Sequence, residues 1–204
     1  MNKACPTVYL VDDDASIRNI LSQLIQVSGY SVKAFASANE FLSAPPPKRP
    51  TCLVLDVCMP DLDGLKLQEI LHSSEDRDIP IIFITGQGDI PISVKAMKAG
   101  AVDFLSKPVL LLELKSSLRA AIEKDTRNLL QNIKDSRIKK LLGSLTPREY
   151  DTFILVVTGM PNKQVANRLN IAEKTVKVHR SRVMAKMKVQ TFADLVRLAQ
   201  DAGI

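Results

Sequence analysis

The stretch VYLVDDD (8–14) decides how this chain is read. Four apolar residues, two of them β-branched, run straight into three acids. That is a short buried strand that stops abruptly at a polar edge. CLVLD (52–56) repeats the pattern and ends on Asp56. Working outward, further strand-length runs lie at 32–35, 81–85 and 102–105. Helical patterns fall between them at 15–28, 37–43, 64–72, 89–99 and 109–124. Ser37 with Glu40 forms a capping box, Asp14 caps the first helix, and Asp89 caps the helix that contains Pro91. Five strands in strict alternation with helices predict a parallel sheet covered on both faces. Right-handed crossovers make it an α/β, flavodoxin-like doubly wound sheet of order 2-1-3-4-5.

In that order strands one and three are neighbours, and ligands bind at the carboxyl ends of strands where the order reverses. Asp12, Asp13 and Asp56 therefore converge on one crevice. Clustered carboxylates repel unless a cation neutralises them, and an all-oxygen set suits Mg²⁺. Thr85 brings a hydroxyl to the same edge, and Lys107 an ammonium. A carboxylate nucleophile, a metal and a cation make a phosphoryl-transfer constellation that yields an acyl phosphate.

Beyond 109 the character changes. Residues 109–143 read as one long helix or two in series. The polar segment 124–140 lacks Gly and Pro, and is either a helical linker that pairs in a dimer or a solvated tether. After Gly143 only helices are expected, at 147–158, 162–169, 173–187 and 192–201. Thr146, Pro147 and Glu149 combine a cap, a first-turn proline and a capping box. The expected division is 1–124, a linker at 125–143, and 144–204.

Charge supports two parts with different partners. Residues 1–124 hold 13 Lys/Arg against 15 Asp/Glu, whereas residues 125–204 hold 15 against 7. The basic half seeks a polyanion. In NKQVANRLNIAEKTVKVHRSRVMAKM (162–187), Val165, Leu169, Ile171, Val176 and Val183 form the seam between two crossing helices. Asn170 sits at their turn, where positive φ is common. The second helix carries Lys174, Lys177, Arg180, Arg182 and Lys186, as a helix entering a major groove does. Together with Lys163 these are the expected phosphate contacts, while Thr175, Lys177, Val178 and Ser181 sit where base edges are read. His179 lacks a partner acid nearby and reads as structural or phosphate-facing. His72 reads as a surface residue near a helix end, and Met184 and Met187 as core.

No uncharged run approaches the about 20 residues that span a bilayer. MNKACPTVYLVDDD does not have the pattern of a signal peptide. Cys5, Cys52 and Cys58 form no metal-ligand or disulfide framework, so a reduced cytoplasmic setting is expected.

VDDDAS (11–16), LDVCMPDLDG (55–64), FITGQGD (83–89) and FLSKP (104–108) resemble, in order, the signatures of receiver domains. LTPRE (145–149), Gly159, NKQVANRL (162–169) and TVKVHRSRVMAKM (175–187) resemble the LuxR/FixJ-type DNA-binding domain. The whole chain is similar to FixJ-type response regulators of two-component systems. The resemblance implies that Asp56 accepts phosphate, and that Asp12, Asp13 and the Cys58 backbone carbonyl join it in holding Mg²⁺. Lys107 would pair with the phosphate, Thr85 sense it, and Phe104 turn inward on activation. The Lys107–Pro108 bond is often cis in this family. The implied partners are a sensor histidine kinase, double-stranded DNA, RNA polymerase and, on phosphorylation, a second copy, with no membrane. The face of residues 89–99, 102–105 and 109–120 resembles the family's dimer interface. No enzyme activity is expected beyond slow hydrolysis of the chain's own phosphate. Phosphatase or phosphotransferase activity would need a substrate pocket and a second acid or base. The remaining rival is a constitutive DNA-binding protein whose receiver is only a dimerisation scaffold. Three positions depart from the pattern. Cys58 stands where Arg or Met is usual, at a position that influences phosphate loss. Ala172 replaces the usual Ser cap, a change worth about 1 kcal/mol of helix stability. Met160-Pro161 is unusual ahead of Asn162, though Pro is tolerated in a first turn.

Overall fold

The computed structural model describes residues 5–60, 62–74, 78–86 and 90–204. The Asp89 cap lies outside the described residues. The chain divides into two compact units, 1–129 and 130–204.

In the first unit, β1 (Thr7–Val11), β2 (Ser31–Phe35), β3 (Thr51–Asp56), β4 (Ile81–Thr85) and β5 (Asp103–Ser106) form one parallel sheet. Its order is β2-β1-β3-β4-β5, as the alternation predicts. Register places Leu55 beside Val11 and Thr85 beside Ser106, so the carboxyl ends lie level. β5 begins one residue later than expected, although Val102 still donates to the Ile81 carbonyl at 2.7 Å.

Strand residues alternate between two cores. Tyr9, Val11, Leu53, Leu55 and Phe83 pack with residues of α2 (Ala38–Ser43), α3 (Gly64–His72) and α4 (Ile90–Lys98). Val8, Leu10, Val54, Ile82 and Ile84 pack with α1 (Ala15–Val27) and the first turns of α5 (Leu111–Gly143). Burial on both faces is why these strands read as continuous apolar runs. Asp14 caps α1, accepting from the Ser16 and Ile17 amides at 2.7 and 3.2 Å. Those bonds hold its carboxyl below the usual carboxylate range. The expected box at α2 is only half formed. Ser37 accepts from the Glu40 amide, but the Glu40 carboxylate turns to the Ala36 amide at 2.7 Å.

The segment expected as a linker is helical throughout, because α5 runs unbroken from Leu111 to Gly143. Asp125, at the start of that segment, is fully buried in the first unit. Its carboxylate accepts from Arg49 Nη2 at 2.5 Å and from the Thr51 amide at 2.8 Å. It thereby ties α5 to the start of β3.

The second unit holds the end of α5, α6 (Pro147–Val157), α7 (Asn162–Leu169), α8 (Glu173–Lys186) and α9 (Phe192–Asp201). Phe153, Val165, Val176, Val183, Met187 and Leu195 build its core, with Leu141, Leu142 and Met184 against it. α7 ends on Asn170 at φ 53, the left-handed turn that the sequence called for. At α6 the full capping box is present. Glu149 in that box is buried, and Lys186 reaches it from α8 at 2.6 Å.

Asp125→Ala leaves Arg49 and the Thr51 amide without their acceptor, and lowers the stability of the first unit by about 3 kcal/mol. Urea unfolding of the full chain reads this, and an unchanged midpoint would show that the pair contributes nothing. The Lys186 ammonium and the Thr146 amide hold the Glu149 carboxyl down from 4.5 to about 2. Its folded value is depressed, so its contribution is present above pH 4.5 and lost as pH falls toward 2. Thermal unfolding of the wild type should weaken across that window. Glu149→Gln should be less stable at pH 7 and lack this part of the slope; identical slopes would refute the assignment.

Candidate phospho-acceptor and DNA-binding sites

β1, β3 and β5 deliver the crevice residues. Asp12 follows β1, Asp56 ends β3 and Lys107 follows β5. Carboxylate oxygens of Asp12, Asp13 and Asp56 lie within 4.8 Å of one another. Asp12 and Asp56 are buried and Asp13 is exposed. The Lys107 Nζ donates to Asp12 Oδ2 at 2.9 Å and to Asp56 Oδ2 at 2.7 Å. Burial raises the Asp12 carboxyl above its ordinary value, against the opposing hydrogen bond and charge of Lys107. Burial alone would lower the Lys107 ammonium, but its bonds to Asp56 and Asp12 outweigh that and raise it.

Backbone groups finish the positioning. The Asp14 amide donates to Asp12 Oδ1 at 2.9 Å, and the Cys58 amide to Asp56 Oδ1 at 3.2 Å. The Lys107 amide donates to the Thr85 carbonyl at 2.7 Å, which joins the ends of β4 and β5. Thr85 is buried at the same edge. Gly64 is required beside Asp56, because a Cβ there would collide with the Asp56 carbonyl oxygen. Phe104 is half-buried, its ring centroid 6.3 Å from that of Phe83. The Lys107–Pro108 bond is cis. Three converging carboxylates with an exposed member fit a hard divalent cation that keeps some of its waters. Cys58 is exposed. His72 is exposed, as expected, and is bonded to Asp78 at 2.9 Å and to the Ala99 carbonyl at 2.7 Å.

In the second unit, Lys163, Lys174, Lys177, Val178, Ser181 and Arg182 are exposed, and Thr175 is half-buried. Lys177 lies 3.9 Å from Glu173. Two cations expected on DNA are engaged inside the unit. Arg180 Nη1 donates to Asn162 Oδ1 at 2.8 Å, and its guanidinium lies 5.5 Å from the Phe192 ring centroid. Lys186 bonds Glu149 and, at 2.9 Å, the Ser144 carbonyl. Among the described residues, the buried His179 Nδ1 has no hydrogen-bond partner. Ala172 and Pro161 provide no side-chain cap to α8 and α7.

Sequence reasoning missed Asp125, Arg49 and Asn162. The inward place of Arg180 was available from spacing, since it stands four residues after Val176 and three before Val183, both buried.

Among the described residues, no helix is long and apolar enough to cross a membrane. Residues 8–119 match the family described as response regulator receiver domain. Residues 143–199 match bacterial regulatory proteins of the luxR family. Nodulation protein W of Bradyrhizobium diazoefficiens is 47% identical, across 97% of this chain and 86% of its own. The transcriptional regulatory protein FixJ of Rhizobium meliloti is 40% identical, across 97% and 96%. Among solved structures, response regulator StyR is 42% identical with a TM-score of 0.87, covering 97% of this chain and 99% of its own. Full-length FixJ from B. japonicum is 37% identical with a TM-score of 0.59, covering 97% of each. The chain belongs to the two-component response regulators, and it is a transcriptional regulator that joins a receiver to a LuxR-type DNA-binding domain.

Proposed function

We propose that Asp56 is the phosphoacceptor and that its phosphorylation controls DNA binding. The observation that carries this is the Lys107 ammonium, held between Asp12 and Asp56 within the three-carboxylate cluster. An Asp56 carboxylate oxygen attacks the phosphorus of a phosphohistidine on a sensor kinase. The P–N bond breaks, a P–O bond forms, and the imidazole leaves with the electron pair. Asp12, Asp13, Asp56 and the Cys58 carbonyl would hold Mg²⁺, which neutralises phosphoryl charge when bound. Lys107 releases Asp56 and pairs with a phosphate oxygen. Water returns the acyl phosphate slowly to Asp56, with Cys58 beside it influencing the rate.

Thr85 turns its hydroxyl to the phosphate, and Phe104 fills the space that Thr85 leaves. This reshapes the α4–β5–α5 face, where Ile90, Val94 and Met97 are exposed, and two copies pair there. Pairing presents two DNA-binding units to two half-sites on one duplex. In this reading Lys163, Lys174, Arg182 and Lys177 meet phosphates or bases, and Thr175, Val178 and Ser181 face base edges. The paired protein acts on transcription in the cytoplasm through RNA polymerase.

Asp56→Asn should abolish labelling by a small phosphodonor, as should removal of Mg²⁺; full labelling of that variant elsewhere would refute the assignment. Lys177→Ala should weaken binding about tenfold or more, and wild-type affinity should fall steeply with salt. Unchanged affinity in both cases would refute the placement of α8 in the groove. Light scattering should show a monomer becoming a dimer on adding beryllofluoride. A monomer in both states, with stimulated DNA binding, would replace pairing by release of an inhibitory contact.

A further inference from the structure

Five cations line α8, and they are not equivalent. Lys174, Lys177 and Arg182 are exposed. Arg180 falls on the buried stripe instead. Val176, Arg180, Val183 and Met187 follow one another at steps of four, three and four, which is one face of a helix. The three apolar members of that stripe are buried. Its guanidinium emerges at the edge of the core and meets two groups there. Nη1 donates to Asn162 Oδ1 at 2.8 Å, and the guanidinium lies over the Phe192 ring at 5.5 Å. Asn162 is the first residue of α7, and Phe192 is the first of α9.

We infer that Arg180 is a positioning residue, which joins the starts of α7 and α9 to the middle of α8 and makes no contact with DNA. A planar guanidinium, with its donors in a fixed fork, can donate to an amide oxygen at one edge while its carbon lies over a ring, a geometry that the compact ammonium of lysine does not reproduce. The start of α7 also carries exposed Lys163. Duplex phosphates and base edges stand at set distances, so α7 and α8 must be held at a set angle to reach both. Arg180 holds that angle. The inference rests on the proposed placement of α8 in the groove.

The test uses the full chain and two duplexes: one selected by this chain from a random pool, and one of random sequence and equal length. Arg180→Met, Arg180→Lys, Asn162→Ala and the Arg180→Met/Asn162→Ala double variant are titrated across a range of salt. Loss of one hydrogen bond and one stacked cation predicts about tenfold weaker binding to the selected duplex. Arg180→Lys should be as weak as Arg180→Met. The salt dependence should be unchanged, the random duplex should bind as before, and the double variant should be no worse than Arg180→Met alone. A phosphate contact gives the opposite pattern: a salt slope reduced by about 0.9, near-normal binding by Arg180→Lys, and additivity with Asn162→Ala. That pattern would overturn the inference. If Arg180→Met does not fold, Arg180→Lys and Asn162→Ala decide on the same slope. Lys177→Ala separates the two levels of the argument. Its failure to weaken binding refutes the groove placement, whereas a normal Lys177→Ala loss with a reduced Arg180 slope refutes only the positioning role.

Discussion

The ammonium of Lys107 makes the carboxyl edge of the sheet possible. Asp12 and Asp56 are nearly inaccessible to water. Two carboxylates buried side by side repel, and each has lost hydration that only partners can replace. Lys107 bonds both, and the Asp14 and Cys58 amides satisfy further oxygens. The sheet order brings these groups together, because β3 lies beside β1 and β5 lies one strand beyond β4. The same ammonium is positioned for use, since charge that stabilises clustered carboxylates also stabilises an added phosphoryl group. Phosphorylation in this account redistributes one cation among anions. Under the proposed mechanism β4 and β5 would feel that redistribution, because the Lys107 amide holds the Thr85 carbonyl.

The DNA-binding unit solves a related problem with a different balance. A helix meant for a polyanion must be cationic, yet it must also pack on its neighbours. α8 does both by engaging some of its cations inside the unit and leaving others exposed. Lys186 satisfies buried Glu149, and Arg180 satisfies Asn162, while Lys174, Lys177 and Arg182 stay exposed.

Much of this was legible in sequence for a definite reason. Strands buried on both faces write continuous apolar runs, and polar or charged residues that end such runs lie at the sheet edge. Asp12, Asp56, Thr85 and Lys107 were found that way. The Asn170 turn and the Thr146 box were equally visible, because their chemistry is local. What escaped depends on distant partners. Asp125 sits in a polar stretch that reads as a helical linker or a solvated tether, and nothing nearby in sequence announces Arg49, 76 residues away. Glu40 had the right spacing for a box, but a second amide within reach took its carboxylate. Arg180 was read for its charge, and its place on the buried stripe went unused.

The central claim is that occupancy of Asp56 governs occupancy of DNA. The most direct measurement is a footprinting titration of wild type and Asp56→Asn on one selected duplex, with and without a small phosphodonor and Mg²⁺. The account predicts that the phosphodonor shifts wild-type protection to lower protein concentration and leaves Asp56→Asn unmoved. Equal protection by wild type in both conditions would contradict it, and would leave the first unit as a constitutive scaffold for DNA binding.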